Sequence, residues 1–312
     1  MGFTIVSFGE ALWDLLPTGP VLGGAPLNLA YRVNSLGNRG VIVSRLGKDA
    51  LGQKALKQIN ALGMEDTFLQ WDEKHPTGTV EIYFDSAKNP DYTIIEGVAY
   101  DQIEFVDGLS DLMAGTDCLC FGTLAQRNLV SRNTLWRLLD EFSGSFGLLD
   151  INLRKNCYSQ ETIRMSLERA NIVKLNEEEL HELTRIYGLT AKSLPEMTES
   201  LLSKAELSYC VVTLGPKGAF AVSKEGENVY VPGFEVKLTD PCGAGDGFAA
   251  GFIHSLLNKD SLPQACRFGN ALGAMVASQE GATQVITYRE IVEFMENASP
   301  GIIDYKLKNF HF

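Results

Sequence analysis

The sequence predicts an α/β fold in which a mostly parallel central sheet lies between two layers of helices and carries a small β lid. Three observations lead there. Short apolar runs end in Gly, Asp or Asn, the mark of buried parallel strands with their polar ends at the carboxyl edge. Amphipathic segments alternate with these runs. Two stretches break the rhythm with a period of two, as strands with one wet face do.

The expected sheet strands are 4–8, 41–45, 118–121, 146–150, 172–175 and 210–214. Helical patterns at 50–62, 132–142, 177–187 and 194–204 lie between them. Ligands of such a sandwich gather at the carboxyl ends of the strands. The period-two stretches are 77–84 and 92–98, flanking a turn at 86–90, and 13–21 would add another strand. A lid is therefore expected from about 12–22 and 75–99, with an ordinary edge extension as the alternative. Residues 1–312 read as a single domain without repeats, low-complexity tracts or linkers.

Hydrophobic residues make up 45% of the 312, enough for a full core. The formal net charge of -12 argues against a nucleic-acid partner. An anionic substrate would need a local basic or amide-rich site against that field. The six cysteines are scattered without a CxxC or Cys/His cluster, so reduced thiols and a cytoplasmic location are expected. The opening residues read as a strand rather than a signal peptide. No apolar run approaches the roughly 18 residues of a membrane span.

The most informative segment is Asp240-Pro241-Cys242-Gly243-Ala244-Gly245-Asp246. It is a glycine-rich turn that feeds a helical pattern at 248–257. The first N–H groups of a helix lack internal partners, and small residues at 243–245 let an anion approach them. With the helix dipole added, the turn is suited to a phosphate. A carboxylate beside that site makes sense if Asp246 takes the proton from a hydroxyl that attacks the phosphate. The competing reading is an acidic N-cap on an ordinary helix.

Earlier in the chain, 23–28 (Gly-Gly-Ala-Pro-Leu-Asn) forms a tight turn opening a helix at 29–36. There Gly24 would let a ligand touch backbone, and Asn28 offers both a donor and an acceptor. Asp14, just past the first strand, can accept two hydroxyl hydrogens; together these residues suit a polyol, against a plain turn and N-cap. Residues 47–52 make a second polar turn at a strand end. Arg154, in Asp150-Ile151-Asn152-Leu153-Arg154, could pair a phosphate or sugar oxygen. Asn176 and Glu179 are three apart and could hold a hydrated Mg²⁺ near phosphates, or could simply cap an acidic helix start. Thr213, Gly215 and Gly218 follow another strand, and their small size permits packing on a flat base or ribose.

Gly47-Lys48 lacks the spaced first glycine of a Walker motif. Residues 245–250 fit the dinucleotide pattern G-x-G-x-x-A, but they lie late in the chain. The next acid, Asp260, falls in a helix-to-helix loop, which argues against NAD.

In this order the pieces resemble the PfkB (ribokinase-like) family of carbohydrate kinases, over nearly the whole chain from Phe8-Gly9-Glu10 to Gly281-Ala282. The 23–28 and 240–246 segments look like the family's two signatures. The resemblance implies a ribokinase-like α/β/α sandwich with a β lid that moves the γ-phosphate of ATP to a sugar hydroxymethyl, using Mg²⁺. It implies Asp246 as base and the amides of 243–246, hence Gly243, Ala244 and Gly245, as the anion hole. It places the sugar at Asp14, Gly24 and Asn28, and metal-bound water and phosphate at Asn176 and Glu179. The nucleotide would be flanked by Thr213, Gly215 and Gly218, with Asn270 by adenine. A monovalent cation, K⁺, would sit among Asp240, Ala277 and Gly281, although Pro241 stands where the family has threonine.

The opening at 9–17 and Thr77-Gly78-Thr79-Val80 look like bacterial fructokinases, so the expected reaction is phosphorylation of fructose at the 6-hydroxyl. A 2-keto-3-deoxygluconate kinase, another PfkB sugar or nucleoside kinase, and a non-catalytic sugar sensor are the alternatives. The open edges of a two-stranded lid call for a partner, which predicts a homodimer clasped through the lids.

Overall fold

The computed structural model describes residues 2–16, 19–84 and 90–310, excepting the side chains of 82–84 and 90–92. In chain order its first half carries β1 (Thr4–Phe8), β2 (Leu12–Leu16), β3 (Gly19–Gly23), α1 (Ala25–Ser35), β4 (Arg39–Gly47), α2 (Ala50–Ala61), β5 (Leu69–Asp72), β6 (Gly78–Phe84) and β7 (Pro90–Ile94). There follow α3 (Leu109–Ala114), β8 (Cys118–Phe121), α4 (Leu129–Glu141), β9 (Phe146–Asp150), α5 (Gln160–Leu167), β10 (Ile172–Asn176), α6 (Glu177–Tyr187) and α7 (Leu194–Lys204). The last part is β11 (Tyr209–Thr213), β12 (Ala219–Ser223), β13 (Asn228–Val231), α8 (Ala244–Leu257), α9 (Leu262–Ala277) and α10 (Tyr288–Asn297).

A nine-stranded sheet runs β13-β12-β11-β10-β9-β8-β1-β4-β5. Its pairs are parallel except β11–β12 and β12–β13, which are antiparallel. Alternation along each strand divides the core between its faces. Val6, Phe8, Leu119, Phe121, Val173 and Leu175 pack with Leu135 of α4 and Leu183 of α6. Ile5, Cys118, Cys120, Leu148 and Ile172 pack with Leu29 of α1 and Phe252 of α8. This is the expected three-layer sandwich. At about 25 cal/mol per Å² of apolar surface removed from water, these two layers are the main source of stability.

The lid is a separate four-stranded sheet, β3-β2-β6-β7. The single strand expected over 13–21 is two strands, paired antiparallel so that Asp14 faces Val21 in register. β2 also pairs parallel with β6, which joins the two lid segments. The turn expected at 86–90 lies outside the described residues, except for Pro90 at the start of β7. The lid is tied to the body at its base. Asp49 caps α2 by accepting the Gly52 N–H, and its carboxylate also takes the Thr77 N–H and hydroxyl. The polar turn at 47–52 is therefore a structural clasp. On the far side, Arg127 grips Asp101, the Tyr100 hydroxyl and the Ile95 carbonyl, which closes the lid onto the core.

Three helices begin earlier than their sequence patterns suggest: α4 at Leu129 rather than 132, and the two that bear on the site. α1 starts at Ala25 rather than 29, because Pro26 in its first turn is preset for helix. α8 starts at Ala244 rather than 248, capped by Gly243 in the left-handed region. Asn28 and Asp246 thus stand inside first helical turns, not in the loops before them.

Candidate active site

Both helix starts open onto the carboxyl edge of the sheet. Asn28 donates from Nδ2 to Asp246 Oδ2 at 2.8 Å. The Asn28 side chain is buried, and its Oδ1 has no acceptor role filled by any described residue. A buried carbonyl oxygen left alone is costly, so Oδ1 is open to a donor from outside, such as a water or a hydroxyl. Gly24 caps α1 with φ 115, and a Cβ there would come within 2.4 Å of the Glu10 carbonyl. Only glycine lets the two chain segments close in this way.

At the other helix start, no side chain among the described residues caps α8. The Ala244 N–H turns back to the Pro241 carbonyl at 3.2 Å, while the N–H of Gly247 bonds to Gly243. The N–H groups of Gly245 and Asp246 have no backbone acceptor among the described residues. The N–H groups open to an anion are therefore fewer than the whole of 243–246, since Ala244 is already committed. A Cβ on Gly243 would strike Ala282 at 2.4 Å, which fixes that residue as glycine. The loop carrying Ala282 is held in turn by the buried Arg32, which donates to the carbonyls of Ala282 and Gln284 at 2.6 Å each.

Lys174 is a further candidate, one that the sequence motifs do not include. It lies 8% exposed in β10, paired with both oxygens of Asp150 at 2.9 and 3.0 Å. A Cβ built on Gly245 would lie 3.0 Å from its Nζ, so the ammonium sits against Gly245 in the first turn of α8. Its signal was legible: a lysine inside the apolar run Ile172-Val173-Lys174-Leu175 has no structural reason to be there without a partner.

The carboxyls respond to this enclosure. Burial raises Asp246 to about 6, and the Asp150 charge adds to that; Asn28, Lys174 and Arg154 pull the other way. Burial also raises Glu10 to about 7, against the pull of Arg154 and Arg127. Glu10 and Asp150 share the lining of a cavity of about 20 Å³ beneath α1 with Ser7, Thr123 and Asn152. Asp14 is raised by burial too, with Arg154 opposing and Asp240 reinforcing the shift. Arg154 is exposed at the edge of this cluster, and its charge acts on Glu10, Asp14 and Asp246 together. The sugar candidates Asp14, Gly24, Asn28 and Arg154 thus converge around Asp246.

The nucleotide and metal candidates occupy the neighbouring strand ends. Asn176 and Thr213 are in register on β10 and β11. Asn176 and Glu179 form a reciprocal capping box on α6, and the second Glu179 oxygen accepts the Leu153 N–H. Helix capping is thus their direct role. Each Glu179 oxygen keeps a lone pair for a water, so the donor set fits a hydrated Mg²⁺ rather than a directly bound one. Gly215 and Gly218 form a turn with positive φ after β11. Asn270 donates from Nδ2 to the carbonyls of Val231 and Pro232, holding from α9 the backbone that follows β13. Asp240 accepts the N–H groups of Cys242 and Gly281, and the Ala277 carbonyl accepts those of Thr239 and Asp240. With both its lone pairs occupied, the Ala277 carbonyl does not fit a cation; Asp240 and Gly281 remain. Among the described residues, no group of three or more His, Cys, Asp or Glu could hold a metal ion.

The chain matches the pfkB family carbohydrate kinase family over residues 19–287. It belongs to that family. It is therefore a carbohydrate kinase. The kinase is 26% identical to a fructokinase of Escherichia coli, over 91% of this chain and 96% of that one. It superposes with a TM-score of 0.78 on an uncharacterized sugar kinase from Pyrococcus horikoshii in complex with ATP, at 26% identity over 93% of this chain and 97% of that one. It also superposes, with a TM-score of 0.80, on 2-dehydro-3-deoxygluconokinase from Thermotoga maritima, at 17% identity over 95% of this chain and 100% of that one. The last likeness speaks for the fold alone. No helix among the described residues is long and apolar enough to cross a membrane.

Proposed function

We propose that this kinase transfers the γ-phosphoryl group of ATP to the 6-hydroxyl of fructose. The observation that carries the reading is the Asn28–Asp246 hydrogen bond beside the free N–H groups of α8. It puts a carboxylate, an unfilled acceptor and an anion site within one small volume. The sugar is held by Asp14, Gly24 and Asn28. Asp246 takes the proton of the attacking hydroxyl, and the N–H groups of Gly245 and Asp246 receive the charge spreading over the transferring phosphoryl oxygens. Lys174 supports that charge from behind. Mg²⁺, when bound, neutralises the phosphates; Asn176 and Glu179 would hold its water. ATP as donor is supported by the ATP complex of the 26% identical relative. The fructose assignment is supported by the fructokinase relative and by the segments at 9–17 and 77–80.

A second reading, 2-keto-3-deoxygluconate as acceptor, is favoured by Arg154. An exposed guanidinium at the mouth of an acidic cluster suits a substrate carboxylate. An ADP-release assay over fructose, 2-keto-3-deoxygluconate, ribose and a nucleoside tests both. Fructose as the best acceptor by kcat/KM supports the first reading; preference for the keto acid overturns it. Turnover of none of them would point to another sugar or nucleoside as the acceptor.

A further inference from the structure

The chain after α10 crosses back over the sheet as a strap of residues 299–310. Its path is set by backbone bonds to the segment that follows β13. The Glu235 N–H bonds to the Ser299 carbonyl, Phe234 and Pro300 form an antiparallel bridge, and the Gly301 N–H donates to the Gly233 carbonyl at 2.8 Å. The strap ends with Leu307 in the main core and Phe310 edge-on to Phe220 at 5.4 Å.

Between these anchors the strap meets the 215–218 turn. The Tyr230 hydroxyl donates to the Lys217 carbonyl at 2.7 Å and accepts the Asp304 N–H at 2.8 Å. Lys217 Nζ pairs with Asp304 Oδ2 at 3.1 Å. The contact is close: a Cβ on Gly218 would lie 2.1 Å from the Val231 carbonyl, and one on Gly301 would lie 2.8 Å from that of Pro216. Asn270 holds the same 231–232 backbone from α9.

The position of this assembly matters because of the strand order. The phosphoryl-binding N–H groups sit over Lys174 of β10, and the sugar candidates Asp14 and Asn28 lie toward β1. A donor nucleotide with its terminal phosphate at α8 therefore extends the other way, over the ends of β10 and β11. The first backbone it meets there is the 213–218 turn. The space beside the Gly215 Cα is open.

We infer that the strap is a nucleotide-positioning element, in which Asp304 and Tyr230 set the 215–218 turn against which the nucleotide packs. This rests on the kinase reading with ATP as donor. The strap touches the turn from behind, so Asp304 acts through Lys217 and the backbone and not on the ligand itself.

Asp304→Asn and Tyr230→Phe test it, with Asp304→Glu as the conservative variant. The expected result is a rise of about fivefold in KM for ATP and in the calorimetric Kd for ATP. The sugar KM and kcat should stay within about twofold, and Asp304→Glu should recover most of the ATP affinity. A purely structural role would lower the melting temperature and leave that split unseen. Unchanged ATP affinity in both variants, or equal rises in both KM values, overturns the inference while wild-type turnover stands. A wild type that binds no ATP overturns the kinase reading and this inference with it.

Discussion

Asn28 and Asp246, from opposite ends of the chain, meet in a 2.8 Å hydrogen bond that joins the first turns of α1 and α8. The bond fixes the carboxylate rotamer and leaves its other oxygen for the acceptor hydroxyl. Asp246→Asn should therefore lower kcat by about 10²–10⁴ with little change in melting temperature or ATP affinity. Steady-state kinetics with a thermal melt checks this, and activity within a few fold of wild type would remove Asp246 from the role.

Asn28→Ala frees that carboxylate and deletes the unfilled acceptor. It should raise the KM for the sugar far more than that for ATP, as should Asp14→Ala. Both residues lie on the β1 side of the anion site, away from Thr213 and the turn that follows it. A selective loss of ATP affinity would show that they belong to the other ligand.

The raised carboxyls give a pH dependence with a definite sign. Asp246 must be ionised to accept a proton, so kcat should climb with pH through an apparent value near 6. Stability runs the opposite way. Asp246 and Glu10 bind protons more tightly folded than unfolded, so their contribution is full below about pH 4 and is lost as pH rises through about 6 and 7. Glu10→Gln should flatten the fall in melting temperature between those values. An identical fall in wild type and variant would show that Glu10 is not titrating there.

The buried Lys174–Asp150 pair predicts asymmetry between single and double variants. Lys174→Met leaves the Asp150 carboxylate uncompensated in the core and should cost about 3–5 kcal/mol of stability. The added change Asp150→Asn should recover much of that in a denaturant melt, without restoring activity, because the charge behind the anion site is gone. A single variant as stable as the wild type would mean that the pair is not closed off from water.

Much of this site was legible in the sequence because its chemistry is concentrated in short segments. Gly243 to Asp246 announces an anion site through glycine and a lone carboxylate, and the parallel strands announce themselves by apolar runs. Other features depend on where remote segments meet. Glu179 and Asn176 fit a metal site and a capping box equally well on paper, and only the bonds to Leu153 and between themselves show the capping in place. The starts of α1 and α8 are hidden because Gly and Pro read locally as turns, while Pro26 and Gly243 in fact open and cap the helices. A period-based reading counts Lys174 only as an interruption of a strand.

Potassium tests the loop before α8. Pro241 has no N–H and a fixed φ, and the Ala277 carbonyl is already occupied by two donors. Potassium should therefore stimulate turnover little or not at all relative to tetramethylammonium at equal ionic strength. A large activation would show that Asp240 and Gly281 bind the cation with ligands other than the Ala277 carbonyl.

The lid leads to the last expectation, a homodimer. Its base is self-contained: Val80 is 7% exposed and packs with Leu12, Val98 and Tyr100 in the main core. Its edges are not, because among the described residues β3 and β7 each have a neighbour on one side only. Open edges of this kind invite pairing with another chain, and a two-fold axis through two lids would cover both. Ile82, in register with Tyr92 on β6 and β7, lies farther out along the ribbon than Val80. Sedimentation equilibrium should therefore show a dimer at micromolar concentration and a shift toward monomer for Ile82→Asp. A wild type that is monomeric there and fully active would mean that the lid works alone. In that case its edges must be protected by their own short length rather than by a second copy.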